Sequence, residues 1–231
     1  SPGMIADILP DGVAAEEAFG DLPEAELFPE EEAVVAHAVS KRRREFSTAR
    51  ACGRAALARL GIPPAPIVPG ARGAPQWPAG VVGSITHCDG YRACAVARES
   101  DVVTIGLDAE PHGTLPPGVL DLVSSAQERD GLARLSAAVP GVHWDRVLFC
   151  AKESVYKAWF PLTRRWLGFE EARVDIDPAS WTFSARLLVE GPVINGAALT
   201  GFDGRWLVSN GLIATAIVVT RSRPLPPRTL P

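Results

Sequence analysis

Several features that would place this chain at once are missing. The longest apolar stretch, Leu212 to Val219, holds eight residues including Thr215, against the roughly 20 that a membrane-spanning helix needs, so no transmembrane segment and no membrane partner are expected. Cys52, Cys88, Cys94 and Cys150 stand 36, 6 and 56 residues apart. They form no C-x-x-C pair, and His37, His87, His112 and His143 are equally scattered, which argues against zinc and for buried, reduced thiols acting as small hydrophobes. No basic start followed by an apolar run marks a secretory signal, and Ser1-Pro2-Gly3 before Met4 reads as an expression remnant, so a cytoplasmic location is expected. The 21 glycines and 21 prolines follow no repeat, which excludes collagen, and 47% hydrophobic content with a net charge of −4 excludes whole-chain disorder. Lysine is rare: 3 of 23 basic residues, with Lys152 and Lys157 inside one short stretch and Lys41 apart from them.

What is present is unevenly placed. Asp7 to Glu32 is rich in acids, whereas Lys41 to Arg59 carries seven basic residues with only Glu45 against them. Glu30 to Leu60 reads as one long or broken helix, stopped by Gly61 and Pro63-Pro64. Pro64 to Gly80, with five prolines and three glycines, reads as an extended loop with Arg72 at its tip. Val81 to His87 and Tyr91 to Arg98 flank an Asp89-Gly90 turn, a hairpin signal. Val102 to Glu110 is a third strand. Its alternation sends Val103, Ile105, Leu107 and Ala109 to the core and Thr104, Gly106, Asp108 and Glu110 to the non-core face. Pro111 to Gly118 is the best internal linker.

Beyond it, Val119 to Leu135 reads as a helix, and so does Trp144 to Thr163, with an apolar stripe of Leu148, Ala151, Val155, Trp159 and Leu162. Glu153 and Lys157 fall opposite that stripe and Lys152 at its margin. Strands follow at Ala172 to Ile176, Trp181 to Leu188, Ala198 to Phe202, Arg205 to Ser209 and Leu212 to Thr220. Each half therefore offers helix followed by strands. The expected fold is α+β, in two similar lobes: 4–111, a linker at 112–118, 119–221, and a disordered tail at 222–231.

Asp108 and Glu110 on one strand face, with Glu153 on a helix, make a candidate hard-metal site, since Mg²⁺ favours a few carboxylate oxygens together with water and phosphate. Each piece alone admits a plainer reading: a solvated strand end for the first two, and an i,i+4 salt bridge for Glu153 and Lys157. Their combination changes the weighing. G-S-I-T-H (Gly83 to His87), I-G-L-D-A-E (Ile105 to Glu110) and F-C-A-K-E-S-V-Y-K-A-W (Phe149 to Trp159) together resemble the phosphopantetheinyl transferases of the surfactin-synthetase-activating type. The stretch Trp144 to Glu170 is similar to actinobacterial members that activate lipid and siderophore synthases.

The resemblance implies a pseudo-twofold monomer binding coenzyme A and Mg²⁺, with Mn²⁺ an alternative, in the cleft between its lobes. It implies transfer of the phosphopantetheine arm to a serine of acyl or peptidyl carrier proteins of polyketide, fatty-acid, nonribosomal peptide or siderophore biosynthesis, releasing adenosine 3′,5′-bisphosphate. Asp108, Glu110 and Glu153 match the family's metal-binding acids, Glu153 also its base toward the carrier serine, and Lys157 the cation near the pyrophosphate. His87 and Thr86, Arg72, Arg42 and Arg50, and Lys152 match positions that contact the coenzyme. Thr86 for serine, Ser154 for alanine and Arg72 for lysine depart from the commoner pattern but keep the needed chemistry. The physics agrees, because guanidinium forks suit phosphates and phosphoryl transfer asks mainly for alignment and charge neutralisation. Competing readings are a non-catalytic coenzyme A or carrier-binding module and a Mg²⁺-dependent pyrophosphate hydrolase. Nucleic acid is not an expected partner, since the chain is acidic overall and lacks an aromatic-interleaved strand motif.

Overall fold

The computed structural model describes residues 3–221. In the first half, β1 (Ala14–Ala18), β2 (Val81–Cys88) and β3 (Tyr91–Arg98) form an antiparallel sheet in the order β1-β3-β2. The central strand β3 is buried from Tyr91 to Ala97, which accords with its run of small and apolar residues from Ala93 to Ala97. One face takes the long helix α2 (Ser40–Arg59) through Cys52, Ala56 and Leu57. Of the two forms expected for Glu30 to Leu60, the broken helix is the one present, with α1 (Pro29–Val35) preceding α2.

The second half repeats the motif. Strand β4 (Val102–Pro111) leads into α3 (Val119–Val123), α4 (Ala126–Ala138), α5 (Trp144–Thr163), β5 (Ala172–Asp177), β6 (Thr182–Leu187), a two-residue hairpin β7 (Val193–Ile194) and β8 (Ala197–Ala198), β9 (Gly201–Ser209) and β10 (Leu212–Thr220). The five-stranded antiparallel sheet has the order β4-β10-β9-β6-β5. Helix α5 lays Trp144, Leu148, Ala151, Val155 and Trp159 on it against Phe183, Phe202, Trp206 and Ile213. Among the described residues no helix is long and apolar enough to cross a membrane.

Three expectations need correction. The helix expected over Val119 to Leu135 breaks at Ser124-Ser125, where the Ser125 hydroxyl accepts from the Glu128 amide at 3.1 Å and Glu128 accepts from the Ser125 amide at 2.9 Å; this reciprocal cap starts α4. The strands expected at Ala198 to Phe202 and Arg205 to Ser209 are joined from Gly201 onward in the single strand β9, with Ala198 in β8 instead; at Gly204 the Phe183 ring covers the strand, where a Cβ would stand 2.1 Å from it. Finally, the non-core face of β4 is also buried, since α5 lies on it: Thr104 is 1% and Asp108 6% exposed.

Gly106 makes that approach possible. A Cβ on it would stand 2.1 Å from the Ser154 carbonyl oxygen and 2.8 Å from the Ala158 nitrogen, so alanine must push the helix backbone off the strand. Gly106→Ala should cost about 3 kcal/mol, or roughly 6–12 °C in Tm for a chain of this size. A melt at the wild-type temperature would be incompatible with this seat for α5.

Although placed in the first lobe by sequence, β4 hydrogen-bonds to β10, with Asp108 opposite Thr215 and Glu110 opposite Ile213. Its link to β2 runs through side chains: the Ser84 hydroxyl accepts from the Leu107 amide at 3.0 Å and the Thr86 hydroxyl from the Ala109 amide at 3.1 Å. The expected tail at 222–231 lies outside the described residues.

Candidate active site

The β2–β4 seam opens into a cleft of about 780 Å³, walled by β2, α2 and the Pro69–Trp77 loop on one side and α5 with β4 on the other. Arg42, Arg50, Arg72, His87, Glu153 and Lys157 all line it. With Thr86, which also borders it, the cleft brings seven of the expected site residues together on the surface of one cavity, while Asp108, Glu110 and Lys152 do not line it.

Strand β4 buries Asp108 behind the cleft surface, where Lys157, which lines the cleft, reaches it. Asp108 Oδ1 accepts from Lys157 Nζ at 3.2 Å, while its buried Oδ2 has no partner among the described residues. Burial pushes this carboxyl up to about 7; Lys157 opposes the shift, and Glu110 and Glu153 add to it by repulsion. Burial raises Glu153 too, again with Lys157 opposing and Glu110 adding. Lys157 also donates to the Ile85 carbonyl at 3.3 Å. It therefore spans α5, β2 and β4 through Asp108 and Ile85, and the surface salt bridge to Glu153 that spacing alone allows is not among its ion pairs.

Among the described residues no three acidic, imidazole or thiol groups close into a ready-made metal cage. Glu110 is held by Arg146, whose NH1 donates to it at 3.0 Å while Nε and NH2 donate to the Gly113 and Thr114 carbonyls. The residues nonetheless fit a hard divalent cation: Glu110 adds to the raised proton affinity of both Asp108 and Glu153, and one buried carboxylate oxygen of Asp108 has no hydrogen-bond partner among the described residues. A partial set of carboxylates that leaves coordination positions for water and phosphate is what Mg²⁺ favours.

The basic wall is built from α2. The Arg50 guanidinium lies 4.0 Å from the Phe46 ring centroid and its Nε donates to the Ile67 carbonyl at 2.9 Å. Burial lowers it to about 10, which leaves it charged at neutral pH. Arg42 NH1 stands 3.1 Å from His87 Nε2, and His87 Nδ1 stands 3.3 Å from a Glu45 carboxylate oxygen. Burial, with Arg42 next, lowers the His87 pKa. A neutral ring protonated on Nδ1 suits both neighbours, accepting from Arg42 at Nε2.

Two expected coenzyme contacts are engaged elsewhere. Lys152 is only 4% exposed, and its ammonium donates to Glu128 Oε1 at 2.9 Å and to the Phe169 carbonyl at 2.7 Å. It ties α4 to α5 instead of facing the basic wall. Thr86 borders the cleft; its oxygen accepts from the Ala109 amide, which leaves the hydroxyl proton and one lone pair for another contact.

Sequence reasoning missed Arg146, Glu128, Arg164 and Tyr156. Glu128 was signalled by the S-x-x-E spacing of Ser125 to Glu128. Tyr156, whose buried hydroxyl has no partner among the described residues, carried no signal apart from its place one turn after Glu153 and next to Lys157. Arg164 carried none.

Comparison with known proteins accords with this arrangement. The family model described as the 4′-phosphopantetheinyl transferase N-terminal domain matches residues 30–97, and that of the 4′-phosphopantetheinyl transferase superfamily matches residues 104–193. The chain is 58% identical over 219 residues to the 4′-phosphopantetheinyl transferase Svp of Streptomyces mobaraensis, covering 94% of this chain and 89% of that protein. It is 53% identical over 222 residues to the transferase Npt of Nocardia iowensis, covering 93% and 99%. It is 49% identical over 224 residues to the transferase PptT of Mycobacterium tuberculosis, covering 94% and 98%. With both halves matched and relatives of this similarity spanning nearly its whole length, the chain belongs to the 4′-phosphopantetheinyl transferase superfamily.

Proposed function

We propose that this protein transfers the 4′-phosphopantetheine arm of coenzyme A to a serine of acyl or peptidyl carrier domains, with Mg²⁺ in the acidic corner, releasing adenosine 3′,5′-bisphosphate. The observation that carries this reading is the junction of an acidic corner (Asp108, Glu153) with a basic wall (Arg42, Arg50, Arg72), with Lys157 between them. A pyrophosphate linked to a nucleotide phosphate is a ligand with that charge layout. In the reaction the serine oxygen forms a bond to the phosphorus bearing the pantetheine arm, and the bond from that phosphorus to the bridging oxygen breaks. The pair stays on the departing bisphosphate. Glu153 takes the serine proton, and its raised proton affinity brings it toward the range useful in a base at neutral pH. Lys157 stabilises charge on the pyrophosphate. Bound Mg²⁺ would supply charge neutralisation across the phosphates. One chain supplies both walls of the cleft, which suits a monomer.

Mass spectrometry of purified apo-carriers incubated with coenzyme A and Mg²⁺ tests the proposal. Carriers of polyketide, fatty-acid, nonribosomal peptide and siderophore synthases should gain one phosphopantetheine, and a carrier with its serine replaced by alanine none. Cleavage of coenzyme A without any carrier would instead indicate a hydrolase, and binding without turnover a non-catalytic module.

The basic wall gives a second expected result. Arg50→Ala should weaken coenzyme A binding about tenfold or more, as loss of a charged phosphate contact does, and leave binding of a serine-less carrier unchanged. Calorimetry with each ligand decides; equal losses would make α2 a carrier-docking helix.

A further inference from the structure

Among the described residues five that are not glycine adopt the left-handed backbone conformation: Arg72, Arg164, Trp181, Asn195 and Asn210. For the asparagines this is ordinary. Arg164 is different, because it ends α5 at φ 57° and ψ 25°, donating its amide to the Phe160 carbonyl at 2.8 Å. That helix-ending position is where glycine fits without steric cost. A long side chain kept where glycine would relax the backbone indicates that the side chain is used.

Its surroundings indicate for what. Arg164 lines the cleft from the second half of the chain, as the left-handed Arg72 does from the first. Neither has a carboxylate within ion-pair distance among the described residues. Each guanidinium rests instead on an aromatic face, Arg164 at 5.6 Å from the Phe160 ring centroid and Arg72 at 5.3 Å from that of Trp166. An arginine stacked in this way is oriented while its N–H edge stays free for an anion. The neighbouring Arg165 stacks on Trp159 and does not border the cleft.

We propose that Arg164 is a further phosphate ligand of the coenzyme, gripping it from α5 while Arg72 grips from the opposite half. The inference rests on the transferase reading only in naming coenzyme A as the anion. The test is calorimetry of coenzyme A with the full chain and the variants Arg164→Gly, Arg164→Lys and Arg165→Gln. Glycine removes the backbone strain, so Arg164→Gly should melt no lower than wild type and yet raise the coenzyme A Kd about tenfold. Arg164→Lys should recover part of that loss, and Arg165→Gln should bind as wild type.

Repeating the titration with 3′-dephospho-coenzyme A identifies the phosphate. A loss that vanishes assigns Arg164 to the 3′-phosphate, and one that persists assigns it to the pyrophosphate; either supports the proposal. A wild-type Kd for Arg164→Gly overturns it, as does an equal loss in Arg165→Gln, which would reveal only a general field. Weaker binding of a serine-less carrier with an unchanged coenzyme A Kd overturns it in favour of carrier docking. Failure of the wild-type chain to bind coenzyme A at all would instead sink the transferase reading.

Discussion

Asp108→Asn should yield a protein more stable than wild type at pH 8 in chelator and unable to load a carrier. Burial lifts the Asp108 carboxyl to about 7 in the metal-free fold, against about 4 in an unfolded chain. The folded state therefore holds this proton more tightly. Its stabilising contribution is complete below about pH 4 and is lost as pH rises through about 7, above which a buried, half-partnered carboxylate remains. Asparagine carries no such charge. The exposed side of the Lys157 ion pair, 31% accessible, makes its loss worth under about 1 kcal/mol. We expect a net gain of about 2 kcal/mol, or roughly 4–8 °C in Tm, at pH 8, and a flatter Tm profile between pH 4 and 8. Transfer should fall below detection because a metal-binding carboxylate is lost. Parallel pH profiles for the two proteins would show that Asp108 is not held in this way, and near-normal loading at low Mg²⁺ would remove it from the metal site.

Glu153→Gln should slow transfer at least about 100-fold while keeping the size of the side chain, since it removes both the proton acceptor and a metal-facing charge. Lys157→Ala should also be slow, through lost stabilisation of the pyrophosphate. Were the two merely a surface pair one helical turn apart, each would matter by a few tenths of a kcal/mol and both variants would load carrier normally. The structure already favours the first account, because Lys157 is committed to Asp108 and Ile85 across the seam. Groups serving one reaction centre are non-additive, so the double variant should lose much less than the product of the two single losses. A double-mutant cycle on the transfer rate at saturating Mg²⁺ and coenzyme A measures this. Full additivity would place the two residues at separate tasks.

Much of the scaffold was legible because local pattern and tertiary environment agree. The Trp144–Thr163 helix and the Leu212–Thr220 strand stand where the apolar stripe and the apolar run put them, since the stripe packs into one core with Ile213 and Ile217 while Leu212, Ala214 and Ala216 fill the core around Met4 and Tyr91. The polar face of β4 misled, because small residues far along the chain cover it. Ser154 and Ala158 meet Gly106 across about 50 residues, and alternation along a strand carries no information about such a cover. Seven cleft residues stand at motif positions, whereas Lys152, beside the key glutamate in sequence, does not face the cleft. A lysine next to the key glutamate in sequence can turn toward Glu128 on another helix, and only the packing of α4 on α5 decides that. The break before α4 could have been read from its S-x-x-E cap.

Strand β4 gives one face to each half of the molecule: Ile105, Leu107 and Ala109 join the cluster around Met4, Tyr91 and Ala95, while Gly106 and Asp108 sit beneath α5. The floor of the cleft is thus a party wall, and the halves cannot swing apart about it without stripping one core. A transferase on such a foundation meets its substrates with its charges already in position, and little reorganisation remains for the moment of reaction. Adaptation to carriers of different shape then falls to the rim, where Arg72 and Trp166 extend from loops, rather than to any opening of the cleft itself.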